Sequence, residues 1–197
     1  MSMNRKIRSS RTIVFLGISG SGKGTQTARL LKALPGSVNV STGRAFRRIA
    51  SHPNIVGRFI RRIVRSGGIV PYWAPAYIWL NAFFKELEGD EPIVLDGSPR
   101  LLAEARMIDD LMGDLGRPKA VALYLMLPER EAMQRLVKRG RASDDRPEAI
   151  RRRFLWFRRD VPPVVAYYRR RGRLVVINGD QPVPAVWRDI RRALHLA

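Results

Sequence analysis

Gly17-Ile18-Ser19-Gly20-Ser21-Gly22-Lys23-Gly24-Thr25-Gln26 follows the apolar run Thr12-Ile13-Val14-Phe15-Leu16 and opens a segment with helical patterning. The spacing Gly17-x4-Gly22-Lys23 is that of a phosphate-binding loop. Its glycines let the backbone curl until successive N–H groups face phosphate oxygens, and the helix that follows adds unsatisfied donors and the positive end of its dipole. Lys23 then brings a point charge to the β- and γ-phosphates. Strand, loop and helix stand in the required order, so the stretch reads as a nucleotide site rather than a glycine-rich turn with a solvated lysine.

Outward from this loop, apolar runs alternate with helical patterns, which specifies a parallel sheet in an α/β fold. Strands are expected at Thr12–Leu16, Ser37–Val40, Pro92–Leu95, Ala120–Leu127 and Leu174–Ile177. Helices are expected over 22–33, over much of 44–87 with breaks at Pro53 and Gly67-Gly68, and over 99–112, 129–139 and 184–194. Tyr72, Ala76, Leu80, Phe83 and Leu87 keep helical spacing and read as core, whereas Trp73 and Trp79 lie off that line and receive no assignment. Asp145-Arg146-Pro147-Glu148 carries a capping carboxylate, an early proline and a glutamate three residues on, the signature of a helix start. Ile150, Phe154, Phe157 and Val161 form its buried stripe, and Pro162-Pro163 is expected to break or bend it.

At 197 residues the chain is expected to be a single domain. It has no cysteine, which excludes disulfides and zinc–thiolate sites and agrees with a cytoplasmic location. No apolar run approaches membrane-spanning length, and residues 1–11 read as a basic, loose tail without a signal-type apolar region. The formal charge of +20 calls for polyanionic ligands, an arginine-rich solvated surface or non-specific nucleic-acid binding.

One detail narrows the class of the loop. The general pattern places Ser or Thr directly after the lysine, whereas here Gly24 follows and the hydroxyl sits on Thr25. Gly-Lys-Gly-Thr-Gln resembles the loop of nucleoside monophosphate kinases of the adenylate kinase family. Val40-Ser41-Thr42-Gly43, Gly68-Ile69-Val70-Pro71, Leu95-Asp96-Gly97-Ser98-Pro99-Arg100, Arg135 through Gly140, Asp144-Asp145 with Arg153, and Pro163 through Tyr168 resemble further motifs of that family, in its order and over nearly the whole chain. The resemblance implies a P-loop kinase fold of five parallel strands in the order 2-3-1-4-5. An acceptor-binding segment would span about 41–87, and a very short lid of the short-lid type about 139–145.

It also implies ATP-dependent phosphoryl transfer to a nucleoside monophosphate, AMP above all, by a cytoplasmic monomer with magnesium. Such transfer needs charge screening and alignment rather than a nucleophilic side chain. Backbone groups of Gly20, Ser21, Gly22, Lys23 and Gly24 would cradle the donor phosphates, with side-chain help from Lys23 and Thr25. Arg47 and Arg100 would grip the acceptor phosphate through their planar forks. Thr42 and Val70 would line the acceptor base or ribose, with Gly97 allowing close approach. Asp96, through water, and Thr25 would hold Mg²⁺. Arg139, Arg141 and Arg153 would close over the transferring group, and Arg135 would lie against the donor adenine.

The departures from the family pattern are Ser19 for the loop proline, Arg44 for an aspartate, Ser98 for an aromatic residue, and Glu104 for a glutamine that reads adenine. They fall mostly on the acceptor side. GMP, CMP, UMP or another small acceptor therefore stands as the alternative to AMP, and a weakly active nucleic-acid-binding module as a second. Glu104 is expected beside the acceptor base, with Arg44 and Arg106 as its competing partners.

Overall fold

The apolar runs become five parallel strands: Thr12–Leu16 and Ile93–Leu95 are buried along their length, Val38–Ser41 and Leu174–Asn178 only in part, and the helices between the strands supply the covers. The computed structural model describes residues 10–141 and 146–196. In chain order the elements are β1 (Thr12–Leu16), α1 (Lys23–Ala33), β2 (Val38–Ser41), α2 (Thr42–Ser51), α3 (Ile55–Ser66), α4 (Trp73–Glu86), β3 (Ile93–Asp96), α5 (Leu102–Asp114), β4 (Val121–Met126), α6 (Glu129–Arg139), α7 (Pro147–Arg170), β5 (Leu174–Asn178) and α8 (Val183–Ala193). The sheet order is β2-β3-β1-β4-β5, as the resemblance implies. The first strand lies at the centre, with Thr12 opposite Ile93 and Ile13 opposite Val121.

One face of the sheet packs against α4, α5 and α7 through Trp79, Ile108, Met112, Val164 and Tyr168. The other packs against α1 and α8 through Leu30, Val186, Ile190 and Leu194. Ile18, Leu127, Leu136, Ile150 and Phe154 join α6 to α7 beside the phosphate loop. The acceptor-side segment has a small core of its own, Phe46, Ile60, Val70 and Ala74.

The structure differs from the sequence expectation in four places. Trp79 is fully buried, whereas Tyr72 is 56% exposed. The buried face of α4 runs through Ala76, Trp79 and Phe83, and Tyr72 is the residue before the helix, outside its periodicity. Pro162 and Pro163 do not break α7, which runs on to Arg170, so the break half of the break-or-bend expectation is not met. Both prolines are exposed, as are Arg158 and Arg159, whose carbonyls lose their helical donors, so water can satisfy them. Arg11 is not loose: its guanidinium donates to the Leu194 carbonyl at 2.6 Å and its carbonyl accepts from Ile93 N at 2.7 Å. The N-cap of α7 is Arg146, with Pro147 in the first turn. The capping role expected of Asp145, and the Asp144-Asp145 motif, lie outside the described residues.

Candidate active site

The C-terminal ends of β1, β2, β3 and β5 open onto one cleft of about 880 Å³, the place where open parallel sheets bind ligands. Among the described residues, Lys23, Arg44, Arg47, Arg100, Arg135, Arg139, Arg141 and Arg153 line it against a single carboxylate, Asp96. Such an excess of cations around one acid suits several phosphates and little else. Gly20, Gly22, Gly24, Thr25, Val70 and Gly97 line the same space. Of the residues expected from sequence, Ser21, Thr42 and Glu104 are buried and do not form its wall.

The phosphate loop is built as its glycines demand. Gly20 and Gly22 sit at φ 91° and 93°, a region that a side chain resists, and a Cβ on Gly20 would crowd the Ala132 carbonyl of α6. Gly22 is the N-cap of α1 and has no side chain to cap it, so the first amides of that helix are left to a ligand. Lys23 folds back over the loop. Its Nζ donates to the Gly17 carbonyl at 2.7 Å, the Ile18 carbonyl at 2.9 Å and Ser21 Oγ at 3.4 Å. Burial lowers its pKa to about 8; Asp96 opposes the shift, and Arg100 and Arg139 add to it.

After β3, Arg100 is fixed by three groups. Its Nε donates to the Gly97 carbonyl at 2.8 Å, its guanidinium lies 5.2 Å from the centroid of the Trp156 ring, and Glu104 Oε2 accepts from its backbone N–H at 3.0 Å. Burial lowers the Arg100 pKa, against Glu104 and Asp96. Glu104 thus stands behind Arg100, in the first turn of α5, with its carboxylate turned to the main chain. Burial raises its pKa, while the Arg100 N–H and guanidinium oppose that rise. Thr42 also stands behind the wall, its hydroxyl 3.3 Å from the Asp96 carbonyl that it donates to. Arg47 and Val70 face the cleft from α2 and from the turn before α4.

On α6, Arg135 is held between two elements. Nε pairs with Glu131 at 2.7 Å on its own helix, Nη1 donates to the Gly179 carbonyl at 3.0 Å, and Nη2 approaches Asp180 at 3.6 Å. Gln181, Pro182 and Val183 continue this wall. Gln26 Nε2 donates to the Val183 carbonyl at 3.1 Å, so α1 braces the wall from below. Arg139 and Arg141 reach the cleft from the end of α6, and Arg153 from the second turn of α7. Ala142 to Asp145, the rest of the stretch expected to form a short lid, lie outside the described residues.

The oxygen donors suit magnesium. Asp96 ends β3 with its carboxylate at the floor of the cleft, near Gly24, and Thr25 carries a hydroxyl on the same wall. Hard oxygens in small number fit an ion that keeps most of its water and arrives with a nucleotide. Among the described residues no cluster of three His, Cys, Asp or Glu forms a cage of its own.

Sequence reasoning missed Trp156 and the Gln181–Val183 wall. The wall follows β5, so the rule that ligands gather at strand C-termini was the available signal. Trp156 carried none, because it lies next to Phe157 on a stripe that reads as core.

Known proteins place this geometry. The sequence profile of the family described as adenylate kinase matches residues 15–173. An adenylate kinase of Thermus thermophilus is 34% identical over 189 residues, covering 94% of this chain and 98% of the relative. Adenylate kinase 2 of a Nostoc species is 35% identical over 182 residues, covering 92% and 97%. An adenylate kinase of Deinococcus deserti is 31% identical over 197 residues, covering 94% and 98%. Phosphate loop, cationic cleft, strand order and these matches agree: the chain belongs to the adenylate kinase family and is a nucleoside monophosphate kinase.

Proposed function

We propose that the cleft transfers the γ-phosphoryl group of ATP to AMP, giving two ADP, with each nucleotide held by its own set of residues. The observation that carries this is the single cleft in which eight cations and one carboxylate meet the phosphate loop. A phosphate oxygen of AMP attacks the γ-phosphorus, and the bond from that phosphorus to the oxygen bridging to the β-phosphate breaks. The acceptor oxygen is already anionic, so no side chain needs to take a proton. Alignment and charge screening supply the rate.

The loop amides of Gly20 to Gly24 receive the donor phosphates. Lys23 exchanges its loop carbonyls for phosphate oxygens. Arg47 and Arg100 hold the acceptor phosphate, with Val70 and Gly97 beside its nucleoside. Glu104 acts through Arg100, as a positioning residue. Arg139, Arg141 and Arg153 gather on the moving phosphoryl group, and Arg135 backs the donor base. Asp96 and Thr25 would hold magnesium, which would supply screening for the charge of the leaving ADP. The segment 41–87 and the end of α6 at Arg139 are the parts that close, and closure excludes water that would otherwise hydrolyse ATP. The protein works as a cytoplasmic monomer; among the described residues no helix is long and apolar enough to cross a membrane.

The test is ADP formation from ATP across AMP, GMP, CMP and UMP, repeated with Arg100→Ala. AMP should give the highest kcat/KM. Arg100→Ala should raise the AMP KM at least about tenfold while ATP affinity changes little, as expected for a lost charged phosphate contact. Parity among the four acceptors would overturn the AMP assignment. Equal loss of ATP binding would put Arg100 on the other nucleotide.

A further inference from the structure

Trp156 makes two contacts that join the cleft to the turn after α3. Its ring lies under the Arg100 guanidinium, with 5.2 Å from the Arg100 Cζ to the ring centroid. Its Nε1 donates at 3.0 Å to the carbonyl of Gly67, the residue that ends α3. Gly67 has φ 71°, and a Cβ there would fall onto the backbone of Ala149, in the first turn of α7. The turn leaving α3 therefore rests directly on α7, and Trp156, two turns further along the same helix, clasps it. Trp156 also lines the cleft, as does Arg153 one turn before it.

An indole suits this place because it offers a flat aromatic face and a rim donor together. Nε of Arg100 is already committed to Gly97. With one face of the guanidinium covered by the ring, the Nη edge is what remains for a ligand. A guanidinium restrained in this way loses less freedom when it binds phosphate.

We propose that Trp156 is a positioning residue for the acceptor: it holds Arg100 in its phosphate-binding orientation and ties the acceptor-binding segment to α7 through Gly67. The proposal rests on the reading of Arg100 as an acceptor-phosphate ligand. Because α7 also carries Arg153, loading of the acceptor is transmitted to an arginine at the transfer site through one helix.

The experiment compares Trp156→Leu, which removes both contacts, with Trp156→Phe, which keeps an aromatic face and loses the bond to Gly67. Initial rates are measured against AMP at saturating ATP, and binding of a non-hydrolysable ATP analogue is titrated directly. Trp156→Leu should raise the AMP KM about tenfold, with kcat lowered by no more than about threefold and affinity for the analogue within about twofold of the parent. Trp156→Phe should recover most of the loss, leaving a rise of about threefold. An unchanged AMP KM in both variants, or a matching loss of ATP-analogue affinity, would overturn the proposal. Should Trp156→Leu fail to fold, Trp156→Phe decides alone: a threefold AMP effect without an ATP effect supports it, and no AMP effect refutes it. The Arg100→Ala control separates the two readings. An AMP KM untouched by Arg100→Ala removes the basis in Arg100 itself, whereas an effect of Arg100→Ala with none from the Trp156 variants removes only this inference.

Discussion

At the scale of single residues, Lys23 carries the most charge chemistry. Replacing it by methionine removes a stabiliser of the shifting phosphoryl charge, and turnover measured as ADP formation should fall at least about a hundredfold with the fold retained. Its pKa of about 8 adds a pH signature. As pH rises through that value the free enzyme loses the ammonium charge, so kcat/KM for ATP should fall on the alkaline side. Bound phosphate favours the charged form, so the same limb in kcat should move to higher pH. Asp96→Asn should raise the magnesium concentration needed for half-maximal rate several-fold and slow transfer, with nucleotide binding kept; identical magnesium curves for variant and parent would discard the role. Glu104 shows where residue-level reading stops. Helical spacing placed it on one helix face with Arg100; the structure starts the helix only at Leu102 and brings the two together through the Arg100 main-chain N–H, which spacing alone does not choose over a base. Glu104→Gln keeps an oxygen that can accept from Arg100 N–H, so the ratios of kcat/KM among AMP, GMP and CMP should change by less than about twofold. A shift toward AMP would return Glu104 to the base.

At the scale of elements, α5, α7 and β5 meet at Asp109. This carboxylate is 3% exposed and accepts from both Nη groups of Arg173 and, at 2.6 Å, from the Tyr167 hydroxyl. Burial alone would raise its pKa, but the bonds from Arg173 and Tyr167 outweigh burial and hold it below the usual range. A depressed carboxylate contributes stability that is full above the unfolded pKa near 3.9 and fades as pH falls through the folded one. Asp109→Ala leaves Arg173 without its charged partner and should cost about 3 kcal/mol in chemical denaturation at neutral pH, and progressively less as pH falls below the unfolded pKa. A variant as stable as the parent at pH 7 would rule this network out as a stabiliser. The strands themselves were readable because continuous apolar runs bounded by turns have few other uses; β1 and α6 coincide with their expected bounds. The faces of helices were harder. Trp79 was hidden because α4 begins at Trp73, and a pattern counted from Tyr72 is rotated against the true one. The prolines of α7 misled because their cost depends on whether water reaches the freed carbonyls, which only packing decides.

At the scale of the whole molecule, the ordered motifs made the floor of the cleft legible, because the phosphate loop is ten consecutive residues and Asp96 and Arg100 lie close together in sequence. The walls formed by Trp156 and by Gln181–Val183 required tertiary structure, since their neighbours are remote in the chain. The net charge of +20 exceeds what one cleft uses. Its surface share should bind a single-stranded DNA homopolymer without sequence preference, and that binding should weaken by about a hundredfold or more between 50 and 200 mM salt. Turnover at saturating nucleotides should change less than about twofold over the same range; a parallel fall would mean that the polyanion and the nucleotides share one site. The sheet order has a consequence for how the chain matures. β1, with the phosphate loop at its end, is the first strand to leave the ribosome, yet its two neighbours are β3 and β4. Until residues 93–96 and 121–126 have been made, its edges have no native partner, and closing such distant pairings is slow. The phosphate loop is thus made well before the strands that hold it in place. Fragments that stop before β4 should bind no ATP and should aggregate through the bare strand, while ATP added late in refolding should trap the completed sheet.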